Sequence, residues 1–167
     1  MQSSPPVSLA RRIASADPAG LLYGAIISAA ALATVSLHTD SAARVAIATG
    51  AVLVIYWMAD LYVHALSTRF DGDRRNLLRR LGHSARHKSS VLKGGVPSIV
   101  AYLVVYALTR DYSLAAFAGL GVAVVLLTVA GYLGARHAGT PGREAAIEGA
   151  GAGLLGVVIV VAKSLLH

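Results

Sequence analysis

Between Arg44 and Leu66 the chain reads RVAIATGAVLVIYWMADLYVHAL, an almost unbroken apolar stretch. A helix that crosses a bilayer needs about 20 such residues to cover about 30 Å of hydrocarbon. Inside the membrane every backbone N–H and C=O must bond within the segment, so such a stretch folds as an α-helix. Four further segments share this character, at about 20–37, 94–109, 112–135 and 144–166. The expected fold is all-α: an integral membrane bundle of five transmembrane helices. The third segment is the shortest. It reaches full length if it begins near Ser90 with Lys93 snorkelling to the headgroups, and Pro97 then falls in its first turns. Arg110 and Asp111 make a tight turn between the third and fourth segments, which are expected to pair antiparallel.

Composition agrees. Hydrophobic residues make up 56% of the chain and charged residues only 14%, against about 25% charged in ordinary soluble domains. Residues 1–19, with Ser3, Ser4, Pro5 and Pro6, read as a flexible cytoplasmic N-terminus, and 20–167 as a single transmembrane domain. Arg11 and Arg12 precede the first apolar run as they would in a signal peptide. That run is too long for a typical h-region and further spans follow, so it reads as a retained helix. Without cysteine, disulfides, thiolate metal sites and sulfur redox chemistry are excluded.

The net charge of +7 comes from basic residues placed between apolar runs, where membrane topology accounts for them and nucleic acid need not. With the N-terminus inside, 12 of the 15 Lys and Arg residues fall on the inner side, leaving Arg44, Arg110 and Lys163 outside. This split predicts a multi-pass membrane protein with the N-terminus inside and the C-terminus outside. The basic cytoplasmic loop, 67–93, carries Leu77, Leu78 and Leu81 on one helical face among arginines. A short amphipathic cytoplasmic helix is expected there, between helices 2 and 3. Arg74, Arg75, Arg79, Arg80 and Arg86 are its candidate contacts to anionic lipid headgroups. His83 and His87 are four apart but lack a third ligand nearby in sequence.

Asp60 and His64, also four apart, share a face of the second span. A carboxylate within the membrane costs about 2.5–3.5 kcal/mol or more, so Asp60 must face protein or water. The fifth span begins with Glu144 and Glu148. Because the second and fifth spans run in opposite directions, Asp60, His64 and Glu148 can share one depth toward the cytoplasm. Tyr56, Trp57, Tyr23 and Tyr132 lie toward the same side. The candidate site is therefore a proton or cation site of Asp60, His64, Glu148, Glu144, Tyr56 and Tyr23. Asp60, His64 and Glu148 would be its ligands for a divalent metal, if it takes one. The alternative is a polar clamp that fixes helix packing, with Glu144 and Glu148 favoured simply by the helix dipole.

Gly149 and Gly153 form GxxxG, extended by Ala145 and Gly156, and Gly20, Gly24 and Ser28 make a similar stripe on the first span. Small residues let helices approach closely, within the chain or in a homodimer through Gly149/Gly153. Lys163 is expected to snorkel outward, or otherwise to pair with Asp40 or Asp111. No G-x-S-x-G, H-E-x-x-H or phosphate-binding glycine loop occurs, so no enzyme and no cofactor is implied.

The stretches YWMADLYVHAL and GLLGVVIVVAKSLLH resemble parts of small bacterial multi-spanning membrane proteins, a likeness that implies no activity. The plan of five spans, with a cytoplasmic segment between the second and third, resembles the vacuolar iron transporter family in topology. Here the first span has no acidic residue or methionine, and the cytoplasmic segment is basic and lacks glutamate. Two functions remain as expectations. One is a small transporter- or channel-like protein that moves protons or cations through the acid–histidine cluster. The other is a non-catalytic membrane scaffold or accessory subunit.

Overall fold

The computed structural model describes residues 18–70 and 89–165. The N-terminal arginines and the expected amphipathic helix, with Leu77, Leu78, Leu81, His83, His87 and the five headgroup-contact arginines, lie outside the described residues. Among the described residues all regular structure is α-helical, in five helices: α1 (Pro18–Val35), α2 (Ala42–Phe70), α3 (Ser90–Thr109), α4 (Tyr112–His137) and α5 (Gly142–Leu165). Four of them, α2 to α5, contain stretches long and apolar enough to cross a membrane, whereas the apolar part of α1 is shorter. The first segment was expected to run to residue 37. Instead the helix stops at Val35, and the N–H groups of Leu37 and His38 bond back three residues, to Thr34 and Val35, at 3.2 and 3.0 Å. A tightened last turn of this kind is a common way for a helix to satisfy its final carbonyls.

The turn between α3 and α4 follows from its two residues. Arg110 adopts a left-handed conformation (φ 57°) and its N–H closes α3 onto Tyr106 O. Asp111 then caps α4: its Oδ1 accepts the N–H of Ser113 at 2.8 Å and of Leu114 at 3.0 Å. Pro97 sits inside α3 as expected.

Helix α1 is the centre of the bundle, packing on α3, α4, α2 and, more lightly, α5. The seams are made by small residues. A Cβ at Gly24 would overlap the Val91 carbonyl of α3, and one at Gly94 would overlap the Leu21 carbonyl of α1. Gly149 meets Thr128 O of α4 in the same way, with 2.8 Å to an added Cβ. These backbone approaches, where dispersion accumulates, replace the hydrophobic drive that lipid cannot supply. They also set direction: α1, α3 and α5 run one way, α2 and α4 the other. The end where α1, α3 and α5 begin is called the proximal end below, and the opposite one the distal end. The core, around Leu32, Val45, Tyr102, Ala116 and Leu120, lies toward the distal half. Outward faces are apolar, with Ile47, Ile55, Leu108, Leu154 and Leu155 exposed, as suits lipid contact.

Candidate functional site

The residues that the sequence suggested would converge lie on α1, α2 and α5, toward the proximal end. Tyr56 of α2 does meet Tyr23 of α1, with ring centroids 6.3 Å apart. One turn further along α2, Asp60 is half-buried beside buried Leu61, and Tyr56, Trp57 and Asp60 each engage a neighbouring group. His64, one more turn along, is exposed. Glu144 and Glu148 lie toward the same end, as their opposed helix directions require, but on α5, which packs against α4 and lightly against α1. α2 packs mainly on α1 and α3, and any contact between α2 and α5 is marginal. Among the described residues no three His, Asp or Glu side chains come together as a metal-holding group. Asp60, His64 and Glu148 therefore lie toward one end of the bundle, on α2 and α5, without forming such a group.

The reason is helical phase. The buried face of α5 is Ala145, Gly149, Gly153 and Gly156. Glu144 and Glu148 each precede a member of that stripe by one residue, a rotation of about 100° on a helix of 3.6 residues per turn. They are both exposed. The same phase commits Gly149 and Gly153 to α4, where added Cβ atoms would meet Thr128 and Tyr132. That stripe is used within the chain, and a homodimer through Gly149/Gly153 would require α5 to leave α4.

The distal end holds the polar residue that reasoning from sequence placed wrongly. Lys163 is only 2% exposed and does not snorkel. Its Nζ donates a hydrogen bond to Ser36 Oγ at the end of α1 and lies 5.5 Å from the centroid of the Phe117 ring on α4. Its polar partner is thus a neutral hydroxyl, although Asp40 and Asp111 line the same cleft. The signal was available: Lys163 falls seven residues after Gly156, on the same buried stripe. Beside it, Tyr106 and Tyr112 stack with centroids 4.7 Å apart and hydroxyls 3.0 Å apart, and the Arg110 guanidinium lies 5.8 Å from the Tyr106 centroid.

A third set of polar groups lies inside the bundle. Thr49 Oγ1, Ser98 Oγ and Tyr102 OH are buried without a hydrogen-bond partner, an arrangement that costs free energy in an apolar interior.

Apolar span length, outward-facing aliphatic side chains and small-residue seams together define a multi-pass, all-helical membrane protein. Comparison with known protein families, with curated proteins and with solved structures finds no match.

Proposed function

We propose that the chain is a non-catalytic membrane scaffold or accessory subunit, and that its intramembrane polar residues serve helix packing rather than a cation or proton path. In this reading α1 also crosses the membrane, giving five spans with the N-terminus inside and the C-terminus outside. The arginines of 67–93 rest on the inner leaflet. The shared direction of α1, α3 and α5 supports this arrangement, since it puts Lys93, Arg136 and Arg143 at the proximal end, with Arg44, Arg110 and Lys163 at the distal end. One observation carries the functional reading: among the described residues no three of the acids and histidines expected to line a path gather as a metal-holding group, and the helices that bear them share no substantial seam. Close packing of α1, α3 and α4 at Gly24, Gly94 and Gly119, where an added Cβ would collide with its neighbours, supports it as well.

The test is reconstitution of the full chain in liposomes, with proton and divalent-cation flux read by entrapped dyes, for wild type and Asp60→Asn. The expected outcome is flux no greater than in protein-free vesicles for both. The variant should also lose stability by about 1 kcal/mol, the usual worth of an interhelical polar contact in a membrane. Wild-type flux that Asp60→Asn abolishes at unchanged stability would overturn the reading.

A further inference from the structure

Beside the distal cleft around Lys163 lies a largely apolar groove. The cleft has a volume of about 640 Å³ and is lined by two cations, Arg110 and Lys163, and two acids, Asp40 and Asp111, with Ser36 beside them. The groove, about 530 Å³, runs between α1 and α5 and is lined by Ala30, Ala33 and Thr34 on one side and Val158, Ile159 and Ala162 on the other. Leu37 and Lys163 belong to both. From Ala30 to Thr34 the groove follows α1 for about 6 Å at 1.5 Å per residue, and Leu37 and His38 of the turn beyond extend its wall. It exists because α1 and α5 touch only lightly while each packs tightly on α4.

We propose that this composite site binds one phospholipid with an ethanolamine-type headgroup, its phosphate on Lys163 and Ser36 and one acyl chain in the α1–α5 groove. Lys163 is a buried ammonium whose protein partner is a neutral hydroxyl, so an anionic oxygen is the complement it lacks. The balance of two acids against two bases disfavours a purely anionic ligand. It suits a zwitterion that also offers an ammonium to Asp40 and Asp111. Asp111 spends Oδ1 on the cap of α4, and neither cap bond uses its second oxygen. A primary ammonium can donate hydrogen bonds to these carboxylates; a trimethylammonium cannot. The apolar groove that shares Leu37 and Lys163 with the cleft points to a whole lipid rather than a soluble zwitterion. The site requires only the helical bundle, so it stands whether the chain is a scaffold or a transporter.

Native mass spectrometry of the full chain in detergent tests it, with added phosphatidylethanolamine, phosphatidylcholine and phosphatidylglycerol of identical chains. The ethanolamine lipid is expected to bind several-fold more tightly than the other two, and soluble phosphoethanolamine is expected not to displace it. Lys163→Met should weaken binding about tenfold or more, the loss expected of one charge-assisted hydrogen bond. Ala162→Phe, which fills the groove, should weaken it as well. Asp40→Asn, at an exposed position, should abolish the preference for the ethanolamine over the glycerol headgroup. It decides the question if Lys163→Met does not fold. Equal affinity for the three lipids, or an unchanged preference in Asp40→Asn, overturns the proposal. Displacement by soluble phosphoethanolamine as effective as by the lipid overturns it as well.

Discussion

Replacing Gly24 by Ala tests whether backbone contact between α1 and α3 holds the bundle together. Two opposing effects can be sized. Ala is favoured over Gly within a helix by about 1 kcal/mol. At Gly50, where an added Cβ would meet nothing within 4 Å, that preference is the whole effect, and Gly50→Ala should stabilise by up to about 1 kcal/mol. At Gly24 the new methyl would overlap the Val91 carbonyl and lie 3.0 Å from Gly95 N. Both are backbone atoms, and neither can rotate away as a side chain would. The helices must therefore separate. Overpacking costs about 1–3 kcal/mol, and rigid backbone on both sides places this case at the upper end. A gap of about 1 Å along the seam also forfeits up to half of each dispersion contact, themselves about 0.1–0.2 kcal/mol apiece. After the gain in helix propensity, Gly24→Ala should destabilise by about 2 kcal/mol, some 3 kcal/mol below Gly50→Ala. The assay is unfolding of the purified protein in mixed micelles as the fraction of denaturing detergent rises, followed by circular dichroism. If the two variants prove equally stable, the α1–α3 contact is not what holds these helices together.

Two further outcomes follow from single side chains. Tyr102→Phe and Thr49→Val remove buried hydroxyls that have no partner, so each should leave stability unchanged or raise it, by up to about 1–3 kcal/mol. A loss in both would show that those hydroxyls bond to something inside the bundle. Asp111→Ala strips the cap from α4 and should cost about 1 kcal/mol, seen as a lowered Tm, whereas Asp111→Asn, which can also cap, should cost less.

Much of this was legible in the sequence because it depends on local facts. Apolar run length dictates helices, since a backbone in hydrocarbon has no other way to satisfy itself. The Arg110–Asp111 turn and the place of Pro97 within α3 follow from residue chemistry at single positions. So does the small-residue character of the seams, because only glycine leaves room for a neighbouring backbone. The exposure of Glu144 and Glu148 was written there too: each precedes a member of the buried stripe, and a residue adjacent to a packing stripe cannot also point along it.

Which helices become neighbours was decided only by the tertiary structure. Depth along a helix is a property of one segment, so the sequence correctly places Asp60 and Glu148 toward the same end. Lateral position is a property of all five helices at once. It is set by which small-residue stripes fit which backbones, and here α1 takes the centre, with α2 packed mainly on α1 and α3 and α5 mainly on α4. The same arrangement turns Lys163 inward to Ser36 instead of outward to water. It also opens the groove beside it, a space that belongs to no single helix.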